Sequence, residues 1–238
     1  MNKPTLLAID TSTEACSVAL WHNGERTHLD EIAQRTHTKR ILPMVEQILA
    51  QSGLHLTQLD ALVFGRGPGS FTGVRVGAGI AQGLALGADL PVIPISNLTA
   101  MAQAAYELYQ AEQVLCAIDA RMNEVYFSQL SLKPRSKNAG FFEWQEIIAE
   151  QVARPEQIIE QLTHSTENWL TVGTGWQAYD QFTQANIGKH SDIRLPSAQY
   201  MLPLALPLWH SNAYLSATEI EPVYLRNDVT WKKLPGKA

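Results

Sequence analysis

The chain has 238 residues, of which 45% are hydrophobic and 17% are charged, and this composition excludes an intrinsically disordered protein. Its 23 acidic residues outnumber its 18 Lys and Arg residues, and the resulting formal charge of −5 argues against a protein that binds nucleic acid on its own. The two cysteines form no CxxC pair, which excludes a disulfide scaffold and a cysteine zinc site.

The sequence lacks hydrophobic segments long enough for export or membrane insertion. The first apolar run ends at Asp10 and is too short for a signal peptide. The longest weakly polar stretch, 76–88, contains Gln82 and falls short of the ~20 residues of a membrane span. We therefore expect a cytoplasmic protein with no membrane partner.

The first half of the chain predicts three strands, a helix and then two strand–helix units. Asn23-Gly24, between the second and third strands, is typical of a hairpin turn. Pro43 lies within the first helix, which either begins there or is kinked. Ser96 or Asn97 caps the last helix. The predicted strands are 5–10, 16–22, 25–32, 60–65 and 91–95, and the predicted helices are 37–51, 72–88 and one that follows 96.

The second half predicts a related series of elements. Strands are predicted at 114–119, 124–132 and 168–173, and helices at 155–162, 176–185 and 197–215. Pro203 and Pro207 make the last helix irregular. The segment 133–142, which begins with polar residues, is predicted to be a long hairpin loop.

Two pairs of strands repeat at nearly equal distances along the chain. The strand 7–10 resembles 116–119 with an offset of 109, and the strand 61–65 resembles 170–173 with an offset of 108. These offsets indicate duplicated halves. The element order then predicts an α/β fold of two tandem ribonuclease-H-like (actin-like ATPase) domains, with mixed sheets flanked by helices. We expect domains at 1–108 and 109–216, with 217–238 packing back on the first.

The predicted helix 72–88 carries two ridges of small residues. One ridge contains Gly73, Gly77 and Ala81, and the other contains Gly79 and Gly83. Because each helical glycine costs about 1 kcal/mol relative to Ala, the glycines need a compensating close contact. That contact is the chain's own sheet, a helix of another subunit, or both, since the helix has two smooth sides.

Several residues are weak candidates for a phosphate site. They are Asp10, Thr11 and Ser12 after the first strand, and Gly67 and Gly69 in the Gly-rich loop before the helix. The loop lacks the GK[ST] ending of a P-loop, so it is either an anion site or a tight turn. Asp119-Ala120-Arg121, at the equivalent place in the second half, has no Gly-rich loop and forms at most a local ion pair. We expect neither catalytic residues nor a metal site, because no two of the seven histidines lie at i, i+4 on one helix.

The most specific motif is GRGPGSFTGVRVG at 65–77. Further landmarks are AIDTS at 8–12, His37 with Leu42-Pro43, DAR at 119–121 and PVYLR at 222–226. Along essentially its whole length the chain resembles the TsaB (YeaZ) family, which takes part in synthesis of threonylcarbamoyladenosine (t6A) in tRNA.

The resemblance implies a non-catalytic activator that works with two partners. One is TsaD, a metal-carrying paralogue that transfers the threonylcarbamoyl group to adenosine 37 of tRNAs reading codons that begin with adenine, and the other is the ATPase TsaE. TsaD has a metal-binding histidine pair, whereas here His37 is followed four residues later by Ile41. We therefore expect the chain to have no cofactor of its own. Whether a nucleotide binds at the interface with the partners is left open by the sequence. Alternative functions are an ATP-binding actin-like kinase or ATPase and a metallopeptidase-like hydrolase.

Helices 37–51 and 72–88 are predicted to form the subunit interface, both with the paralogue and in a homodimer when the chain is alone. The first helix has more apolar residues than one sheet face requires, and the second offers the smooth ridges. We expect tRNA to be held mainly by the partners, with Lys133, Arg135, Lys137, Lys232, Lys233 and Lys237 as solvated charges. The predicted interface residues are Ile41, Leu42, Val45, Ile48, Leu49, Gly73, Gly77 and Ala81.

Overall fold

The structure is a computed structural model and describes residues 3–133, 143–162, 168–185 and 187–226. The predicted loop at 133–142 lies outside these ranges except for Lys133. Five of the six predicted solvated charges also lie outside them: Arg135, Lys137, Lys232, Lys233 and Lys237.

The first half folds as a mixed five-stranded sheet with strand order β3-β2-β1-β4-β5. β2 pairs antiparallel with β1 and β3, while β4 pairs parallel with β1 and β5. The helix α1 begins at His37 and runs through Pro43. The bounds are β1 Leu6–Asp10, β2 Ala15–His22, β3 Glu25–Ile32, α1 His37–Gln51, β4 Ala61–Gly65, α2 Phe71–Ala88, β5 Val92–Ile95 and α3 Asn97–Tyr109.

The second half repeats this topology in a second sheet of order β8-β7-β6-β9-β10. β6 takes the place of β1, since it pairs antiparallel with β7 and parallel with β9. The tandem α/β fold predicted from the sequence is therefore confirmed. The bounds are β6 Gln113–Arg121, β7 Glu124–Leu132, β8 Trp144–Ala153, α4 Pro155–Gln161, β9 Leu170–Val172, α5 Gly175–Ala178, α6 Asp180–Ala185, β10 Lys189–His190 and α7 Leu202–His210.

Alternation along the strands sends side chains to opposite faces of each sheet. In the first sheet, Leu7 and Ile9 face α1 and α2, whereas Leu6 and Ala8 face α7. In the second sheet, one face packs on α3 and the other buries Phe127 against the aromatic rings of α5 and α6. The helix α3 thus lies between the halves and contributes to the cores of both sheets.

The C-terminal region returns to the first sheet earlier than predicted. Ala198, Met201 and Leu202 are buried against the outer face of the first sheet, and Ala198 N donates to Ser17 Oγ at 2.9 Å. Leu215 then pairs with Val92 at the edge of β5. The predicted boundary at 216 groups 198–216 with the second half, whereas Ala198, Met201, Leu202 and Leu215 contact the first sheet.

Four elements differ between the prediction and the structure. β8 and β10 were not predicted at all. The predicted helix 176–185 is two short helices, α5 and α6, with extended backbone at Tyr179 between them. The predicted helix 197–215 is a 3-10 turn at Ala198–Tyr200 followed by α7, which ends at His210.

Candidate functional site

The end of β1 carries a buried polar cluster of Asp10, Ser12 and Asn97. Asp10 is 1% exposed, and its Oδ1 accepts from Asn97 Nδ2 at 2.7 Å while its Oδ2 accepts from Ser12 Oγ at 3.0 Å. Asn97 Nδ2 also donates to Ser12 Oγ at 2.6 Å. Both carboxylate oxygens are therefore occupied by groups of the chain itself.

Burial raises the pKa of Asp10 to about 6, and the hydrogen bonds from Asn97 and Ser12 offset only part of that effect. A carboxylate that helps to place a metal needs an oxygen open to the ion or its water shell. Asp10 has none, because its side chain is buried, Asn97 donates to Oδ1 and Ser12 donates to Oδ2. The arrangement fits a structural carboxyl group better than a metal-bound one.

The Gly-rich loop between β4 and α2 packs against the chain's own backbone. A Cβ at Gly69 would collide with the Ser12 carbonyl oxygen, and a Cβ at Gly73 with that of Thr11. Ser70 N donates to the Ser12 carbonyl at 2.6 Å, and Thr11 Oγ1 donates to the Gly73 carbonyl at 2.7 Å. The loop after β1 therefore lies against the start of α2, where an anion would otherwise bind.

Gly67 and Asn97 hold the rest of that loop. Gly67 has a φ of +101° and is followed by a cis peptide bond to Pro68. Its N–H donates to Asn97 Oδ1 at 2.8 Å, and its carbonyl accepts from Asn97 N at 3.0 Å. Sequence reasoning treated Asn97 only as a cap candidate. The cap of α3 is Ser96, whose Oγ accepts from Thr99 N at 3.2 Å.

The equivalent place in the second half is built around Asp119. Its Oδ1 accepts from Tyr179 OH at 2.7 Å and from Arg121 N at 2.8 Å, and its Oδ2 pairs with Arg121 Nη1 at 3.0 Å. The predicted ion pair is thus confirmed. Burial and the Asp119 carboxylate together raise the pKa of Tyr179 to about 12, so the phenol stays a hydrogen-bond donor at neutral pH.

A cleft of about 920 Å³ separates the two halves. Ser12, Gly69 and Ser70 lie on one wall, and Asp119 and Thr174 lie on the other. Trp176 of α5 packs in the core between Phe127 and Phe182 and donates to the Val172 carbonyl. The cleft is large enough for a nucleotide, yet the phosphate-binding features on its walls are taken up by internal hydrogen bonds.

On α1, most of the residues predicted to form the subunit interface are buried within the chain itself. Ile41, Val45, Ile48 and Leu49 are buried in the chain's own core, so the surplus of apolar side chains on α1 does not exist. Leu42 is the exposed member, at 42%.

The first glycine ridge faces inward as well. Gly73 and Gly77 contact Thr11, and Ala81 is fully buried. Among the described residues, none comes within 4 Å of a Cβ built at Gly79, Gly83 or Gly87, apart from the backbone of the helix itself. The open side of α2 is therefore the second ridge, next to Leu86, which is 59% exposed.

Two charged contacts were missed at the sequence level. Glu150 on β8 pairs with Arg66 of the Gly-rich loop at 3.0 Å and also accepts from Ser96 Oγ. Arg226 pairs with Glu124. Arg66 and Arg226 lie in distinctive sequence motifs, but no motif indicated that Glu150 and Glu124 are their partners.

Metal-binding clusters and membrane-spanning helices are both lacking in the described part of the chain. No group of three or more His, Cys, Asp and Glu side chains within those ranges is placed to hold a metal ion. Among the described helices, none is long and apolar enough to cross a membrane. Cys16 and Cys116 are free and buried, and burial raises the pKa of both thiols, which makes them unreactive.

Comparison with known proteins places this geometry in a family. Residues 28–227 match the family described as TsaD: tRNA N6-adenosine threonylcarbamoyltransferase. The chain is 68% identical to the tRNA threonylcarbamoyladenosine biosynthesis protein TsaB of Haemophilus influenzae, with all of both chains covered. It is 50% identical to TsaB of Escherichia coli, over 98% of this chain and 99% of that one.

A solved structure agrees with these relatives. YeaZ from Pseudomonas aeruginosa superposes with a TM-score of 0.84 and 40% identity, covering 93% of this chain and 100% of the other. The chain therefore belongs to the TsaB (YeaZ) family of tRNA threonylcarbamoyladenosine biosynthesis proteins and has their two-domain actin-like fold.

Proposed function

We propose that this chain is a non-catalytic, cytoplasmic subunit required for threonylcarbamoylation of adenosine 37 in tRNAs that read codons beginning with adenine. In this proposal it activates a TsaD-type transferase by forming a heterodimer with it, and the pair recruits a TsaE-type ATPase. The observation that carries the non-catalytic role is the closed cluster at Asp10. Its carboxylate and the start of α2 are satisfied by Asn97, Ser12 and the Ser12 carbonyl.

The surface that fits the heterodimer is the outward side of α1 and of the second half of α2, from Gly79 onward. Both helices cover the same face of the first sheet, so their exposed sides lie next to each other. Gly79 and Gly83 let a partner helix approach the α2 backbone, and Leu42 and Leu86 supply exposed apolar contacts beside them. The same surface can pair with itself, which accounts for a homodimer in the absence of the transferase.

The experiment replaces Gly83 by Leu and measures association. The side chain would project into open space, so the fold is retained, while a close helix contact is overpacked by about 1–3 kcal/mol. We expect binding to the TsaD-type transferase and self-association to weaken about 5- to 100-fold, as measured by analytical ultracentrifugation and calorimetry.

The matched control is Gln184→Leu on α6, an exposed helical position in the second half. It adds the same apolar side chain and should leave association unchanged. Undiminished association of Gly83→Leu would place the interface elsewhere. Steady ATP hydrolysis by the isolated chain that is lost in Asp10→Ala would favour the alternative of an actin-like ATPase. Metal-dependent peptide hydrolysis that a chelator abolishes would favour the alternative of a metallopeptidase-like hydrolase.

A further inference from the structure

An aromatic–arginine platform lies at the surface where α2 begins and the C-terminal segment crosses it. It consists of Phe71, Arg75 and Tyr224. The Arg75 guanidinium lies 3.2 Å from the centroid of the Phe71 ring and 4.9 Å from that of Tyr224, and the two rings are 6.0 Å apart. The platform is held to the Gly-rich loop by the neighbouring Val223, whose N–H donates to the Arg66 carbonyl at 2.8 Å.

The platform is assembled but open to solvent. Phe71 is 58% exposed and Tyr224 is 42% exposed, so neither ring is needed to complete the core. In the part of the chain that the structure describes, Arg75 stacks on these rings and forms no salt bridge with a carboxylate. Its positive charge is therefore available to an external anion.

A strained turn stands beside the platform. Arg121, Met122 and Asn123 have φ values of +63°, +58° and +60°, a run of left-handed residues without glycine. Arg226, two residues after Tyr224, holds the turn by donating to the Ala120 carbonyl at 3.1 Å and the Arg121 carbonyl at 3.3 Å. The turn presents Arg121 at 80% side-chain exposure.

The described residues around the cleft carry a net positive charge, whereas the whole chain is acidic. The described residues that line the cleft include four arginines and two carboxylates, Glu14 and Asp119, and Asp119 pairs with Arg121. A third carboxylate, Glu124, pairs with Arg226, which leaves a surplus of one positive charge. The whole chain has a formal charge of −5. A positive cleft mouth on an acidic protein fits an anionic partner. The four arginines are Arg35, Arg121, Arg194 and Arg226.

We propose that the platform and the Arg121 turn bind a single-stranded segment of RNA, with one base stacked on Phe71, another on Tyr224, and phosphates near Arg75 and Arg121. Exposed aromatic rings beside guanidinium groups are the chemistry by which proteins bind unpaired bases. An acidic protein segment would use the arginines but would leave the two rings without a function. The inference rests on the proposed function, because the contact is expected to add to RNA binding by the partner subunits.

The first test measures tRNA affinity of the complex of this chain with its TsaD-type transferase. Stacking of one base is worth about 1–3 kcal/mol, so Phe71→Ala and Tyr224→Ala should each weaken binding about 5-fold or more. Arg75→Gln should also weaken it and lower the slope of log K against log salt by about 0.7. Tyr109→Ala and Arg154→Gln, at exposed positions on α3 and before α4, are matched controls that should bind as the parent does.

Two results would overturn the proposal. One is parent-like tRNA affinity and salt slope in all three platform variants. The other is loss of transferase association in these variants, which would make the platform a protein contact. If the unmodified chain forms no complex with the transferase, the proposed function fails instead, and the two failures are thus separable.

A second measurement needs no variant. Ultraviolet crosslinking of tRNA to the unmodified complex, followed by mass spectrometry, should yield adducts on peptides that contain Phe71 or Tyr224. Adducts found on the transferase and on other peptides of this chain, with none on these two, would contradict the inference.

Discussion

At the scale of single residues, two aspartates at equivalent strand ends have opposite surroundings. Asp10 is fully enclosed by Ser12 and Asn97, whereas Asp119 lies on the wall of the cleft with Tyr179 and Arg121. The difference arises from the loops that follow the two strands. The loop after β1 folds onto α2, while the turn after β6 projects away and is held by Arg226.

The Asp10 cluster predicts an unusual pH dependence of stability. Its pKa is raised in the folded state from an ordinary 3.8 to about 6, so the folded protein binds this proton more tightly than the unfolded chain does. Stability from this group is fully present below about pH 4 and is lost as the pH rises through about 6. Relative to Asp10→Asn, the parent should lose about 2 kcal/mol between pH 4 and pH 7, measured by urea unfolding.

Glu31→Gln serves as a control of opposite sign. Arg40 donates to the Glu31 carboxylate and lowers its pKa, so the parent should lose stability relative to this variant as the pH falls. A difference between the parent and Asp10→Asn that does not change with pH would show that Asp10 is not held as described.

At the scale of elements, the two sides of α2 serve different purposes. The side with Gly73 and Gly77 lets the loop after β1 approach the helix backbone, and the side with Gly79 and Gly83 meets no other part of the described chain. Helical glycine is unfavourable on both sides, but only the inner side is compensated within the chain. The outer glycines are consistent with a contact made in an assembly.

The same substitution on the two sides should therefore have opposite effects. Gly73→Ala brings a Cβ against the Thr11 carbonyl oxygen and should destabilise the fold by about 1–3 kcal/mol. Gly83→Ala meets nothing and should stabilise the fold by about 1 kcal/mol through helix propensity. Urea unfolding of the isolated chain measures both, and shifts in the same direction would refute the assignment of sides.

At the scale of the whole molecule, the halves are joined by α3 and by a charged contact across the boundary. Glu150 of the second sheet pairs with Arg66 and Ser96 of the first half, and the Glu150 side chain is only 8% exposed. Burial, with a contribution from Glu150, raises the pKa of the neighbouring Glu146. The contact ties the Gly-rich loop to the second half.

Removal of the Glu150 charge should leave Arg66 without its carboxylate. We expect Glu150→Gln to destabilise the protein by about 1–3 kcal/mol, less than the loss of a fully buried ion pair. The loss is smaller because Arg66 is 25% exposed and because Glu146 no longer faces the negative charge of Glu150. The double variant with Arg66→Gln should lose less than the sum of the single losses. Glu143→Gln, which breaks a pair with Lys133 at an exposed site, should change stability by less than about 1 kcal/mol.

Much of the fold could be predicted because its signals are local. Asn23-Gly24 marks the first hairpin, and the strand ends at Asp10 and Asp119 reveal the repeat. β8 was missed because its paired apolar residues and its Glu and Gln residues resemble a helix. It is a strand because it pairs with β7, a contact that no local pattern contains.

The sequence by itself determined the tandem α/β topology, the family motif at 65–77 and the absence of a P-loop, because strand alternation, turn chemistry and spacing are properties of short segments. Only the tertiary structure decided which side of α2 is open, that Asn97 closes the cluster at Asp10, and that the chain returns to the first sheet from Ala198. The physical reason is distance along the chain. Asn97 lies 87 residues from Asp10, and Ala198 lies 181 residues from Ser17, so these contacts exist only once packing brings the segments together.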